Sequence, residues 1–541
     1  MKFKSTCFLL IFLLLPFYCN AYRYLFVTGN LGYSHLQFNG RLADALVDNG
    51  HEVDFVVARW VNFVPGNGTE RANVIHYTPK KANEILKVLG EANIFGDPFE
   101  REIDFFADEV IRALNTLLNI FCSDILSNEE FLNELRSRKY DAAVSESYDS
   151  CSRYLFYKVG ITNVMGTSAT ALSEMMAHHL GLPMLGGFRP VLNSCPVSPL
   201  DMTFMERARN FYQLMRYIHV ISPKFGVTFD QIGQLRGQVI PTDAPKAIEL
   251  TRNLTMHFVN TFSTLDLPHV TLPTIFNVGG VGMKEPGKLN AELAAIYAKA
   301  KKGVIVFSFG SIVDPTQARA EIRNAFLHTF KRLTDYEVIW KMAGGANVEE
   351  RKKIFDDYDN VHPFEWIQQT TLLGNPKTVL LITHAGLNSV NEAANFGVPM
   401  IAVPLIGDGT YNSAVVKYQN LGIVLNKYAL TKETVGDAID RVLNDPIYRQ
   451  RAQEISQSLQ RQVKTAAADF VRQVEFATEF PGVLQRLNLP QWNWFFYYGA
   501  DVVIVAAVIS SIVLFPFVCV IFMTFKTCMR QTQSAPKKKT Q

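Results

Sequence analysis

The sequence predicts an α/β fold: two doubly wound, parallel-sheet domains facing a cleft, followed by one C-terminal transmembrane helix. Three features predict it. Short apolar strands alternate with amphipathic helices in two series, one starting near Tyr24 and one near Gly303, and such alternation builds βαβ units and parallel sheets. A loop-rich stretch at 279–289 separates the two series. Residues 502–525 carry no formal charge, and 24 such residues suffice to cross a hydrocarbon layer of roughly 30 Å. The chain has 541 residues, too many for one core. Its 48% apolar and 19% charged residues exclude a disordered polymer. A net charge of +3, with no basic and aromatic platform, gives no reason to expect nucleic acid.

Residues 1–21 read as a cleaved secretory signal. Lys2 and Lys4 precede an apolar run at 7–18, and the small residues Cys19 and Ala21 stand where a signal peptidase cuts. An N-terminal domain is expected over 22–282. Its first strand is 24–28. A helix follows at 36–49, with Leu42, Ala45 and Leu46 on one side and Gly50 as a stop. The next strand is 52–58, and 141–145 and the region of 161–164 have the same character. The second series places strands at 303–308, 336–341, 379–383 and 399–403, with helices at 317–333 and 387–395. It defines a C-terminal domain over 290–480, closed by a long polar helical pattern at 450–475.

A linker at 481–501 leads to the membrane helix, 502–525, and a tail, 526–541. Trp492, Trp494, Phe495, Tyr497 and Tyr498 precede the span as an aromatic belt would, and Pro516 inside it is tolerable in a membrane helix. Lys526, Arg530 and Lys537 to Lys539 follow, with no acidic residue in the tail. Positive charge stays cytosolic, so the body is expected in the lumen as a single-pass type I protein. The ending Lys538-Lys539-Thr540-Gln541 resembles the dilysine signal that returns membrane proteins to the endoplasmic reticulum; solvated charge or a patch for anionic lipid is the alternative. A luminal body agrees with two glycosylation sequons, at Asn67 and Asn253. The luminal cysteines Cys122, Cys151 and Cys195 allow at most one internal disulfide.

Several familiar chemistries are missing. No G-x-G-x-x-G occurs. The Walker-like spacing from Gly282 to Lys288 ends in Leu289, where magnesium would need Ser or Thr. Asp357 and Asp359 sit in a polar run that reads as a solvated turn, and no His/Cys cluster has zinc spacing, so no metal site is expected. The informative segment is 366–408. Trp366 and Gln369 come first, then His384-Ala385-Gly386-Leu387-Asn388-Ser389, Glu392, Gly397-Val398-Pro399, and Pro404 to Asp408. Here a strand turns into a helix whose free N–H groups and positive end attract an anion, with phosphate the obvious one. Gly386 admits close approach of a ligand. His384, Asn388 and Ser389 can donate to it, Glu392 can accept from ribose hydroxyls, and Trp366 offers a flat face for a base. Chemistry alone points to a nucleotide, read as a diphosphate; an ordinary capped strand-turn-helix junction is the alternative.

The pattern W-x-x-Q, H-x-G-x-N-S-x-x-E, G-V-P and P-x-x-x-D is similar to the signature block of the UDP-glycosyltransferases. The signal, the N-terminal domain, Val306-Phe307-Ser308-Phe309-Gly310-Ser311, the membrane helix and the lysine-ended tail resemble its membrane-bound animal UDP-glucuronosyltransferase branch. The resemblance implies two Rossmann-like domains of the GT-B type, UDP-sugar in the C-terminal one and acceptor in the N-terminal one. It implies Trp366 on uracil and Gln369 on uridine. His384, Asn388 and Ser389 would hold the diphosphate, Ser308, Gly310 and Ser311 would line its other side, Glu392 would take ribose, and Asp408 the sugar. It makes His35, just after the first strand, the catalytic base. The acid that orients it aligns with Glu146, and Asp149 is a second candidate.

The expected reaction inverts the anomeric centre and needs no cofactor beyond the UDP-sugar co-substrate. Two departures bear on the sugar. Asp408 is followed by Gly409 where the family commonly has Gln, and Asn260 stands where some glucuronate users carry Arg. UDP-glucose and UDP-glucuronate therefore both stay open as donors, as does a catalytically weak, nucleotide- or lipophile-binding relative. Expected partners are the donor, a small lipophilic acceptor and the membrane, in a chain that could be a homo- or hetero-oligomer. Stretches at 95–121 and 175–211, rich in aromatic residues and Met, are expected to shape the acceptor pocket unless they are ordinary core.

Overall fold

The computed structural model describes residues 21–30, 32–59, 66–92, 98–99, 108–183, 189–191, 202–221, 235–311, 313–342, 347–488 and 499–533. Residues 1–20 of the expected signal, the aromatic belt at 492–498, Lys537 to Lys539 and Cys195 lie outside these residues.

Among the described residues two parallel sheets form. The first contains β1 (Arg23–Gly29), β2 (Glu52–Ala58), β3 (Asn73–Tyr77), β4 (Ala142–Glu146), β5 (Val164–Ser168), β6 (His257–Val259) and β7 (Ile275–Asn277), in the order β3-β2-β1-β4-β5-β6-β7. The second contains β8 (Gly303–Ser308), β9 (Tyr336–Lys341), β10 (Val361–Phe364), β11 (Thr378–Thr383), β12 (Met400–Ala402) and β13 (Gly422–Val424), in the order β10-β9-β8-β11-β12-β13. In each, the strand order reverses beside the first strand. The reversal leaves a crevice between β1 and β4 in one sheet and between β8 and β11 in the other. Ligands of doubly wound folds sit in such crevices, at the carboxyl ends of the strands.

The central strands read as near-continuous apolar runs because helices cover both faces. In β8, Val304 and Val306 face one core while Ile305 and Phe307 face another, following the period of two. Helix α1 (Tyr33–Asp48) buries Leu36, Leu42 and Leu46 against the first sheet. Helix α2 (Ser150–Val159) starts where the Asp149 side chain accepts from the Ser152 N–H, and stops at Gly160, whose φ of 91° suits glycine. Helix α3 (Leu387–Asn395) follows β11, and α4 (Gly409–Tyr418) follows β12. The helix Asp108–Ser127 packs Leu117, Phe121, Cys122 and Ile125 into the first core, so that part of the expected acceptor stretch is core. A disulfide joins Cys122 to Cys151.

Helix α5 (Pro446–Glu479) sets Ala452, Ile455 and Leu459 on the second sheet, but Phe470, Val471, Val474 and Ala477 join the first core. Phe470 meets the Phe258 ring edge-on at 4.9 Å, and Asn163 Nδ2 donates to the Ala477 carbonyl at 3.0 Å. The apolar stripe of α5 outlasts the second sheet, and the open face of the first sheet receives the rest. The segment from Leu489 onward is a separate unit. Its described part is helix α6 (Ala500–Gln533), within which Ala500–Thr527 has a mean hydropathy of 2.8 and apolar side chains exposed along its length. It is long and apolar enough to cross a membrane.

Candidate active site

The first crevice is built by the end of β4 and the start of α1. His35 lies in the first turn of α1, and its Nδ1 is 2.7 Å from Glu146 Oε2 at the last position of β4. Glu146 is only 2% exposed, whereas the His35 side chain keeps 27% of its surface. The other carboxylate oxygen of Glu146 accepts from Asn39 Nδ2 at 3.2 Å and from the Ala169 N–H at 3.3 Å. Asn39 is itself held by the Thr167 hydroxyl at 2.7 Å. A buried carboxylate with three donors is locked in place. The ring of Tyr148 stands edge-on to His35 at 5.8 Å. Burial on its own would lower the His35 pKa, but the charge and hydrogen bond of Glu146, joined by the charge of Asp408, hold it above the usual histidine value. Asp149, the other acid expected near His35, is the cap of α2 and binds Ser152.

The second crevice is the turn from β11 into α3. His384 sits between two glycines. A Cβ on Gly310 would lie 2.6 Å from its Cε1, and one on Gly386 would lie 2.7 Å from its Nε2. Gly310 also has a φ of 76°, a region that favours glycine. Burial and the charge of Lys341 push the His384 pKa down to about 4, so the ring is neutral at physiological pH. Its Nδ1 has no hydrogen-bond partner among the described residues. Ser308 ends β8 beside Thr383 of β11 and is buried; Ser311 is exposed.

Around the start of α3 the side chains are mutually arranged. Gln369 Nε2 reaches Ser389 Oγ at 3.1 Å and Glu392 Oε2 at 2.7 Å. Asn388 Oδ1 accepts from Asn260 Nδ2 at 2.9 Å, which leaves the N–H groups of Asn388 for an acceptor such as phosphate. Trp366 is 61% exposed, its ring perpendicular to that of Tyr33 with centroids 6.1 Å apart. Asp408 precedes α4 and accepts from Asn412 Nδ2 at 2.7 Å. The Asn260–Asn388 hydrogen bond and the 6.1 Å approach of the Tyr33 and Trp366 rings bring the two crevices together, and the charges of Asp408 and His35 act on each other. Of the two sequons, Asn253 is exposed, while Asn67 is partly buried and accepts from Arg59 Nη2 at 2.8 Å.

Sequence reasoning passed over several members of this arrangement. Asn39 and Asn412 orient the two acids. Lys341, buried at the end of β9, donates to the Gly310 carbonyl and supplies positive charge beside His384. Arg41 on α1 shares a small cavity with Glu392. The one sequence signal for Asn39 was its place four residues after His35 on the same helix face; Arg41 and Lys341 carried none.

Comparisons with known proteins show the family. A family model described as "UDP-glucoronosyl and UDP-glucosyl transferase" matches residues 28–541. The Caenorhabditis elegans protein ugt-48 is 27% identical over 494 residues, covering 89% of this chain and 90% of its own. Human UDP-glucuronosyltransferase 2B10 is 26% identical over 501 residues, covering 89% and 90%. Among solved structures, TcCGT1 in complex with UDP has a TM-score of 0.55 at 15% identity, covering 85% of this chain and 100% of that one, a likeness of fold.

Proposed function

Because the chain belongs to the UDP-glucuronosyl and UDP-glucosyl transferases, and is thus a UDP-sugar-dependent hexosyltransferase, we propose that it moves glucose or glucuronic acid to a hydroxyl of a small lipophilic acceptor, with inversion and without a metal ion. The observation that carries the reaction scheme is the 2.7 Å bond between His35 and Glu146. With Nδ1–H donated to Glu146, Nε2 keeps its lone pair. It takes the acceptor's proton while that oxygen forms its bond to the anomeric carbon and the bond from that carbon to the β-phosphate oxygen breaks. Glu146 stabilises the imidazolium that results. One in-line displacement inverts the centre. The charge on departing UDP is met by the N–H groups at the start of α3, by Asn388 and Ser389, and by the neutral donor His384. Asp408, whose charge reaches His35, is the acid for the sugar hydroxyls, Glu392 takes the ribose, and Trp366 with Gln369 the uracil.

The apolar helix α6 fits a single-pass anchor. The reading places the body in the lumen of the endoplasmic reticulum, with Asn253 and Asn67 as glycosylation sites and the lysine-ended tail in the cytosol. Purified protein should release UDP when given UDP-glucose or UDP-glucuronate and a panel of phenols. His35→Ala should reduce turnover by about 10²–10⁴-fold. No UDP release with any pair, or a variant as fast as wild type, would overturn the scheme. Competition between the two donors decides the sugar. Gly409 favours a second reading, a weak catalyst that holds nucleotide for a partner; tight UDP binding without turnover would support it.

A further inference from the structure

We propose that Arg41 is a further donor-binding residue, whose guanidinium reaches from the acceptor-side sheet to pair with a phosphate oxygen of the bound UDP-sugar. This rests on the reading of α3 as the nucleotide site. Arg41 lies on the face of α1 that carries Tyr33 and Gln37, less than two turns beyond His35. Its side chain lines one small cavity with Asn260, Asn388, Asn391 and Glu392, so a cation from the first sheet and the donor-side face of α3 share the same space. The chain passes over its stem at Gly282, where a Cβ would lie 2.7 Å from Arg41 Cβ, and this pins the side chain toward the cavity. Among the described residues Arg41 has no hydrogen-bond or ion-pair partner, and its Nε is buried.

A guanidinium whose Nε is buried without a partner is costly, and an anion brought to it relieves that cost. Glu392 is the strongest charge acting on Arg41, and burial otherwise disfavours its charge. Gln369 already engages Glu392 Oε2, and ribose hydroxyls would occupy that carboxylate further. The diphosphate at Asn388 and Ser389 lies one helical turn away, about 6 Å, within the span of an arginine, and arginine matches phosphate with two parallel N–H groups. The donor would then be gripped from both sheets at once.

Affinities of the full-length protein for uridine, UMP and UDP, measured by titration calorimetry at low salt, test this with Arg41→Gln and Arg41→Lys. The expected result is a loss of about tenfold or more for UDP in R41Q, the scale of one charge-assisted bond, a smaller loss in R41K, and unchanged uridine binding. R41Q should also show a shallower salt dependence. Equal UDP affinity in R41Q and wild type overturns the proposal, as does a loss of the same size on uridine, which would put Arg41 on the ribose through Glu392. If R41Q does not fold, by its thermal transition, R41K carries the test through its UDP-to-uridine ratio. Failure of wild type to bind UDP would instead overturn the reading of α3.

Discussion

Glu146→Gln probes the active site with one atom. Oε1 of Glu146 accepts from two donors, Asn39 Nδ2 and the Ala169 N–H, while Oε2 faces His35 Nδ1 at 2.7 Å. A carboxamide has one oxygen. Placing it toward His35 would aim its NH2 at two donors and leave both without partners, a cost of about 1–3 kcal/mol each. The cheaper choice keeps the oxygen on Asn39 and Ala169 and turns the NH2 toward His35. The imidazole must then accept at Nδ1 and carry its proton on Nε2, so no lone pair remains to take the acceptor's proton. The same change of tautomer in a serine-protease triad costs about 10⁴ in kcat, and a fall of about 10³–10⁴ is expected here, with the donor KM nearly unchanged. The pH profile moves as well. His35 must be neutral to act, so wild-type kcat/KM rises as pH climbs through a His35 pKa held above the usual value. Without the Glu146 charge that pKa drops, and the acid limb of the residual rate shifts to lower pH. UDP-release kinetics from pH 5 to 9 read both effects, with UDP affinity as the check on folding. A variant within threefold of wild type, or an acid limb that stays in place, would refute the assignment.

Three further outcomes follow from the packing. Gly310→Ala adds a Cβ 2.6 Å from His384 at a φ of 76° and should raise the donor KM by about tenfold or more, the loss of roughly one good hydrogen bond; an unchanged KM would mean that His384 does not touch the donor. Gly409→Gln, which restores the common family residue, puts a Cβ 2.7 Å from the His384 carbonyl oxygen. Backbone cannot yield as a side chain can, so thermal stability should fall by about 1–3 kcal/mol and turnover should not rise; a faster enzyme would contradict this. Phe470→Ala empties a site that is 1% exposed against Phe258 and should cost about 3–5 kcal/mol by denaturant melting. A loss below about 1 kcal/mol would separate the end of α5 from the first core.

Local chemistry was legible in the sequence. Residues 387–395 read as a helix and form one with those bounds, because the turn at Gly386, the apolar strand before it and the helix start are all set by near neighbours. The alternation of elements specified parallel sheets in the same way, and the uncharged run at 502–525 specified the apolar helix within Ala500–Gln533. Tertiary structure alone decided the contacts between distant segments. Glu146 was the first candidate for His35 and Asp149 the second, and the choice closed when β4 paired with β1 and α2 claimed Asp149 as its cap. Arg41 and Lys341 are single cations on a helix and a strand, with no spacing that marks them. The polar pattern at 450–475 announced a long helix but not which sheets its buried residues would meet. Periodicity records which side of an element leaves water. Which other element meets that side depends on strand order and helix packing, whose partners lie a hundred or more residues away: 111 separate His35 from Glu146.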